Sequence, residues 1–181
     1  MRQAETSYKQ LEKDFIEKFM LLGSKGDYER AVLSTCAVGR VTSRKMRFIA
    51  DGLTLYCYAI RGQRKYEQIV ENPNVAVNID YIQVEGTASL EGHPLDERNS
   101  GFLRVFMRTQ PDAYEEYNSN FRNSEIDVAL VKIIPSKISL LGPVDGESCI
   151  SVLNVKTEKA YRIYDYVKVE RDHCDAPAYW E

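Results

Sequence analysis

The sequence has few of the residues that build metal and haem sites. Its 181 residues include only two histidines, His93 and His173, which are too few for a zinc site made of histidines alone. The four cysteines contain no two residues at a CxxC spacing: they are Cys36, Cys57, Cys149 and Cys174. We therefore expect reduced, buried thiols rather than a disulfide framework, and no bound metal.

Long apolar runs, an excess of positive charge and glycine-rich nucleotide loops are also absent. No stretch approaches the roughly 18 continuous apolar residues of a membrane span, and the N-terminus lacks the pattern of a signal peptide, so we expect a cytoplasmic protein that binds no membrane. The formal net charge of -3 argues against general affinity for nucleic acid. Neither GxGxxG nor GxxxxGK[ST] occurs, which disfavours the two commonest nucleotide-binding loops.

The residues that are present suit one globular unit. Apolar residues make up 44% of the chain and charged residues 28%, which excludes wholesale disorder. Within residues 6–22, the apolar residues Leu11, Phe15, Phe19 and Leu22 recur at helical spacing. Because the polar face of this helix carries both signs of charge, we expect residues 1–26 to pack on the protein body or on a partner subunit rather than on a membrane.

Strand patterns dominate the next part of the chain. They cover residues 30–37, 40–49, 53–59, 75–79 and 81–90. Asp51-Gly52 predicts a hairpin turn, and Gly86 predicts a bulge or a close approach of two backbones. Five strands with one short helix, predicted over residues 67–71, suggest a barrel and exclude a doubly wound parallel sheet.

Positive charges gather where that short helix begins. Arg61, Arg64 and Lys65 lie at the N-terminal end of this helix. A helix N-terminus disfavours positive charge, and each exposed cation there costs roughly 0.3 to 1 kcal/mol. A bound phosphate would reverse the sign of this effect. The strand predicted over residues 40–49 carries four further cations, which indicate either a solvated edge strand or convergence on an anion: Arg40, Arg44, Lys45 and Arg47.

Several short motifs occur in a fixed order between about residues 28 and 141. They are Gly39-Arg40 with Ser43-Arg44-Lys45-Met46, Asp51-Gly52 with Leu53-Thr54-Leu55-Tyr56, Gln63-Arg64-Lys65 with Asn72-Pro73-Asn74-Val75, and Val84-Glu85-Gly86-Thr87-Ala88. In this order the chain resembles the flavin-binding split-barrel proteins, a superfamily that includes pyridoxamine phosphate oxidase and the general-stress and nitroimidazole-reductase-like proteins.

The resemblance implies a mainly β (α+β) fold, a six-stranded antiparallel split β-barrel of Greek-key topology with peripheral helices. It implies a homodimer with FMN in two clefts between the subunits, a barrel domain over residues 28–144 and a C-terminal extension over residues 145–181. The implied cofactor-binding residues are Arg44, Lys45, Met46, Arg47, Tyr58, Ala59, Arg64, Lys65 and Gln83. The chain departs from the oxidase at Ile49, where the oxidase has lysine, and at Gln63, where it has serine.

Three features of the later chain are also expected. Helices are predicted over residues 94–107 and 111–117, and residues 128–142 resemble the closing strand pair of the superfamily, with a proline between its halves. Beyond it, residues 152–155 and 161–169 alternate as strands do. No segment matches the arginine- and tryptophan-containing end of true pyridoxamine phosphate oxidases, so that activity is disfavoured; Tyr179 and Trp180 are the last aromatic residues.

The resemblance thus implies an FMN-dependent oxidoreductase that acts on a small molecule, with a nicotinamide as a possible electron donor. No catalytic side chain is assigned, because the flavin itself carries the hydride or electron transfer. Two other hypotheses stay open at this point. One is a non-catalytic carrier or sensor that binds flavin or haem, and the other is a dimeric scaffold that has lost its cofactor.

Overall fold

The computed structural model describes residues 2–21, 31–123 and 125–164, which form antiparallel sheet with helices at its periphery. The strands are β1 (Arg2–Glu5), β2 (Ala31–Ala37), β3 (Arg40–Lys45), β4 (Ile49–Asp51), β5 (Thr54–Ile60), β6 (Asn74–Ile79), β7 (Ile82–Leu90), β8 (Val128–Val144), β9 (Glu147–Asn154) and β10 (Lys159–Tyr164). The helices are α1 (Tyr8–Met20), α2 (Arg64–Glu71), α3 (Ser100–Thr109) and α4 (Pro111–Phe121), and a 3-10 turn at Glu97–Asn99 precedes α3.

This architecture confirms the predicted α+β split barrel with peripheral helices. The described residues contain ten strands rather than the six expected. The additional ones are β1, the three-residue β4, and the pair β9 and β10. Strands β9 and β10 continue the sheet from β8, and β1 pairs with β10 at its edge, so the C-terminal region through Tyr164 belongs to the same sheet as the barrel.

Strand β8 holds the two halves of the sheet together. Its first residues pair with β5, from Val128 opposite Ile60 onward, and its last residues pair with β9, while β7 runs beside most of its length. The expected break at the proline is wrong, because β8 is continuous through Pro135. Pro135 lies opposite Gly86, where the β7–β8 register shifts, so its missing N–H falls where the ladder is already irregular.

Helix α1 is part of the main core, as its apolar spacing predicted. Ser7 caps it through a hydrogen bond from the Gln10 backbone N–H to the Ser7 hydroxyl, and Leu11, Phe15 and Phe19 are buried against the sheet. The polar face of α1 is exposed to solvent. No helix within the described ranges is long and apolar enough to cross a membrane.

Strand β5 separates two cores, because its side chains alternate between faces. Leu55 and Cys57 point into the main core with α1 and α2. Tyr56 and Tyr58 point the other way, into a second cluster built with α3 and α4. This alternation has the two-residue period of a strand, and the ring contacts of the second cluster give both tyrosines a packing role: Tyr56 meets Phe102 and Tyr58 meets Tyr117.

The predicted strand over residues 40–49 is wrong in one respect, because it is interrupted. β3 ends at Lys45 and β4 begins at Ile49. Between them Phe48 is buried, and its carbonyl oxygen accepts a hydrogen bond of 2.8 Å from the Gln110 side chain. This contact ties the chain to the α3–α4 layer, so β3 and β4 cannot form one straight strand. β3 is the last strand in the sheet order, which confirms its prediction as an edge.

Gly86 combines the two features that the sequence predicted for it. The β7–β8 register shifts at Glu85/Gly86, and a Cβ atom built on Gly86 would lie 2.7 Å from the backbone oxygen of Ile134. Because that neighbour is backbone rather than the end of a flexible side chain, it cannot move aside without distorting β8. A glycine is therefore required here by space and not by its own dihedral angles.

The substitution Gly86→Ala is expected to lower the free energy of unfolding by about 1–3 kcal/mol, the usual cost of overpacking a close-packed interior. Gly142→Ala, on the neighbouring strand β8, is the matched control, since a Cβ there meets nothing within 4 Å. Urea denaturation of both variants measures the difference. Equal midpoints for the two variants would contradict the close approach of β7 and β8.

Candidate functional site

The candidate site lies at the start of α2, where the helix carries its positive charges. The helix begins at Arg64, three residues before the predicted start, which places Arg64 and Lys65 in its first turn. Gln63 is the N-cap residue, but its side chain makes no capping hydrogen bond. The first N–H groups of a helix have no acceptor within the helix, so this end offers donors and positive potential to an anion.

Arg44 of β3 is the third cation near this helix start. Burial is the main cause that lowers the pKa of Arg44, and the positive charge of Arg64 lowers it further. Burial likewise lowers the pKa of Lys65, and the positive charge of Arg44 adds to that effect. Within the described part of the chain, none of the three forms an ion pair with a carboxylate. These three cations therefore influence one another, and no carboxylate of residues 2–21, 31–123 or 125–164 forms an ion pair with them.

Cys57 lies beside these cations in the main core, where its thiol is fully buried. Burial raises the pKa of the Cys57 thiol to about 12, and the opposing effects of Lys65 and Arg44 are smaller. The thiol is therefore neutral near pH 7 and supplies no negative charge to balance Arg44 and Lys65. Whatever neutralises this cluster must come from outside these residues.

Arg44 is held by a hydrogen-bond network that also contains part of α2. Its Nη1 donates to the Thr35 hydroxyl at 2.8 Å and to the Leu33 carbonyl oxygen at 3.2 Å, and its Nη2 donates to the Thr42 hydroxyl. Both hydroxyls in turn donate to Oε1 of Gln68, at 2.7 Å from Thr35 and 2.6 Å from Thr42. The orientation of Arg44 is thus tied to a side chain of α2.

The three basic residues just described are the predicted site residues that the fold brings together. Lys65 additionally donates from Nζ to Oε1 of Gln63, so the glutamine that replaces the oxidase serine orients the ammonium group. Arg61, for which the resemblance gave no role, instead pairs with Asp127 at 2.6 Å and stacks over the Tyr66 ring.

The other predicted site residues lie elsewhere on the fold. Lys45 is exposed on the opposite face of β3 from Arg44, and Met46 packs on the edge of the main core. Ala59 is fully buried in that core, within β5. Gln83 is exposed on β7, on the outward face of the sheet. Among the described residues, no side-chain hydrogen bond or ion pair joins these four residues to Arg44, Arg64 or Lys65.

Arg47 and Tyr58 lie on the α3–α4 side of the sheet. The Arg47 guanidinium is 5.3 Å from the centre of the Tyr117 ring and donates to Oε1 of Gln110 at 3.4 Å. Tyr58 also packs on Tyr117, and burial, followed by its hydrogen bond to Tyr117, raises the pKa of the Tyr58 hydroxyl. These two residues form a second polar and aromatic group, distinct from the cation cluster around Arg44.

Sequence analysis missed the residues that support Arg44, namely Gln68, Thr35 and Thr42. Two signals could have found them. Gln68 follows Lys65 by three residues and precedes the buried Ile69, so it lies on the inward face of a short helix. Thr35 occupies an inward position of β2 between Leu33 and Ala37, where a polar side chain needs a partner.

A groove of about 390 Å³ runs over the outward face of the sheet. Its walls come from β2, β3, β6, β7 and β8 and from the loop after α2; they include Ser34, Cys36, Val41, Asn74, Glu85 and Ser136. Two apolar residues stand exposed on this part of the surface or near it, Val41 at 65% and Ile134 at 53%. The groove is lined by both polar and apolar side chains.

The residues at the start of α2 fit a phosphate group. A dianionic phosphate is bound by charge-assisted hydrogen bonds from guanidinium and ammonium groups and by free N–H groups of a helix N-terminus, and Arg44, Arg64, Lys65 and α2 supply all of these. The site can therefore bind and orient a phosphorylated molecule. Among the described residues, no carboxylate or imidazole forms an ion pair or hydrogen bond with the side chains of Arg44, Arg64 or Lys65.

No protein-family model and no curated protein matches this chain. Solved structures do. A candidate pyridoxamine 5′-phosphate oxidase from Listeria innocua is 28% identical, with 74% of this chain and 99% of that chain covered and a TM-score of 0.53. A pyridoxamine 5′-phosphate oxidase-related, FMN-binding protein from Nostoc punctiforme is 15% identical, with 83% and 95% covered and a TM-score of 0.56.

A third solved structure of the same fold belongs to a protein named for haem rather than for flavin. The haem storage protein HutZ from Vibrio cholerae is 14% identical, with 68% of this chain and 89% of that chain covered and a TM-score of 0.50. At this level of identity the likeness concerns the fold alone. Together with the motifs of the sequence, the comparisons confirm that this chain is a split-barrel protein of the pyridoxamine 5′-phosphate oxidase-like superfamily.

Proposed function

We propose that this chain binds FMN and that Arg44, Arg64 and Lys65 hold its phosphate. The observation that carries the proposal is the group of three cations at an uncapped helix start, with no acid paired to them among the described residues. A bound dianion offsets the repulsion within this group and the cost of placing cations at a helix N-terminus. The 28% identical Listeria protein and the FMN-binding Nostoc protein support a flavin as the phosphorylated molecule.

Each residue has a distinct task in this proposal. Arg44 approaches from β3 and is held by threonine hydroxyls, so its guanidinium is oriented before the ligand arrives. Lys65 is half-buried and is oriented by Gln63, whereas Arg64 is exposed at the rim of the site. When bound, FMN supplies hydride or electron transfer, and the protein contributes binding, orientation and exclusion of water.

The proposed activity is that of an FMN-dependent oxidoreductase acting on a small molecule, as a homodimer with FMN between the subunits. A second copy of the chain would cover the outward face of the sheet. This face carries the groove and, in or near it, the exposed side chains of Val41 and Ile134. Nicotinamide-dependent reduction of the bound flavin, screened with quinones, nitro compounds and pyridoxine phosphates as acceptors, tests the catalytic part of the proposal.

Haem is the rival ligand, because HutZ shares the fold. His93 is the histidine that the structure describes, and its Nδ1 accepts a hydrogen bond of 3.2 Å from the Leu95 backbone N–H. That hydrogen bond occupies the Nδ1 lone pair of His93. His173 lies outside the described residues. The absorbance spectrum of the purified protein distinguishes the ligands: flavin bands support the proposal, and a Soret band contradicts it.

Replacement of Lys65 by alanine is expected to weaken FMN binding by roughly 1 to 3 kcal/mol, the scale of a lost charge-assisted hydrogen bond. Riboflavin, which lacks the phosphate, should bind the wild type and the variant equally. Arg61→Ala is the matched control, since it removes the same charge from a residue that pairs with Asp127 on the surface. Flavin fluorescence titration measures the dissociation constants, and an unchanged constant for FMN would refute the phosphate role of Lys65.

The affinity for FMN is also expected to fall as the pH is raised through the pKa of Lys65, which burial and Arg44 place below that of an ordinary lysine. The phosphate stays dianionic above about pH 7, so the loss reflects deprotonation of the lysine. The free energy of unfolding of the ligand-free protein should instead rise over the same pH range. A folded state with a lowered lysine pKa holds fewer protons than the unfolded state, so raising the pH favours the folded state. Lys65→Arg should retain its affinity at alkaline pH, and a parallel loss in that variant would contradict this assignment.

If the cofactor is shared between two subunits, FMN should shift the protein from monomer to dimer through mass action. Sedimentation velocity at low protein concentration, with FMN and with riboflavin, measures this shift. Detection of FMN bound to a monomer would reject the shared cleft while leaving the phosphate site in place.

A further inference from the structure

We propose that Gln68 is a positioning residue, which sets the guanidinium of Arg44 for the phosphate and fixes α2 against β3 at the same time; this role rests on the proposed FMN site. Gln68 is 5% exposed and Thr35 is 1% exposed. Neither residue belongs to the cation cluster itself. Their side chains instead connect the two elements that carry it.

The direction of every hydrogen bond in this network follows from its chemistry. A guanidinium can only donate, so Thr35 and Thr42 must accept from Arg44 with their oxygen lone pairs. Their hydroxyl hydrogens then point to Oε1 of Gln68, which accepts both. The Gln68 amide nitrogen is left to donate, and it does so to the Arg40 carbonyl oxygen at 2.8 Å.

This network leaves Arg44 with the donors that a phosphate needs. A guanidinium has five N–H groups, and Arg44 uses two on Nη1 and one on Nη2 within the fold. In the part of the chain that the structure describes, the two N–H groups without an acceptor are on Nε and Nη2. These nitrogens are neighbours, as bidentate binding of an oxyanion requires. Without the threonines and Gln68, Arg44 could rotate and present other donors.

Gln68 also holds α2 in position against β3. It lies three residues after Lys65, on the same face of the helix, and its bond to Arg40 ties that face to the first residue of β3. One side chain therefore links the helix that carries Lys65 to the strand that carries Arg44. If Gln68 only stabilised the fold, its replacement would leave the ratio of the affinities for FMN and riboflavin at the wild-type value.

The test compares FMN with riboflavin in the full-length protein. Gln68→Met keeps the length of the side chain and removes both polar functions, so the FMN dissociation constant is expected to rise about tenfold while that for riboflavin changes little, and the preference for FMN falls accordingly. Gln10→Met, at an exposed position of α1, is the control and should retain the wild-type preference. Thermal unfolding monitors the folded state of each variant.

Thr42→Val supplies an independent route to the same result, because it removes one link of the network at a half-buried position and keeps the shape of the side chain. Thr42→Val should also lower the preference for FMN over riboflavin. In the double variant with Gln68→Met, the loss of binding free energy for FMN should be smaller than the sum of the losses in the two single variants. An unchanged ratio of the two dissociation constants in either folded variant would overturn the positioning role. A wild-type protein without any preference for FMN would instead overturn the proposed function itself.

Discussion

The buried hydrogen-bond network between α2 and the β2–β3 hairpin is the interaction on which the candidate site depends. Gln68 accepts from Thr35 and Thr42 and donates to the backbone of Arg40, so a helix of eight residues is fixed to an edge strand. Helices this short are unstable by themselves and take their position from tertiary contacts. Because the network is buried, each of its polar groups needs its partner, and the loss of one leaves another unsatisfied.

Two apolar clusters hold the elements around this network. The main core lies between α1, α2 and the inward face of the sheet, and it includes Cys57, whose neutral thiol lies beside Arg44 and Lys65. The second cluster packs α3 and α4 on the other face of β5. Burial in the main core partly desolvates the two cations, which strengthens their interaction with any anion that displaces water. Packing and electrostatics therefore act together at this site.

Much of the fold could be predicted from the sequence because local patterns agreed with tertiary structure. The spacing of Leu11, Phe15 and Phe19 predicted α1, the strand pattern over residues 53–59 predicted β5, and Gly86 predicted the close approach of two strands. Where local pattern and tertiary contact disagreed, prediction failed. β1 carries no buried residue, and among the described strands its partner is β10. The interruption after β3 depends on a bond from Gln110, 62 positions away in the chain.

The sequence by itself determined the chemistry of the candidate site: Arg44, Arg64 and Lys65 are cations at positions that resemble a known phosphate-binding pattern, and the helix start makes an anion favourable there. The tertiary structure decided which cations meet. It directs Arg44 inward and Lys45 outward from adjacent positions of one strand, pairs Arg61 with Asp127, and separates Arg47 and Tyr58 into the α3–α4 layer. The physical reason is that charge and residue type are local properties, whereas the convergence of side chains depends on strand register and on burial, which distant residues such as Gln68 and Gln110 control.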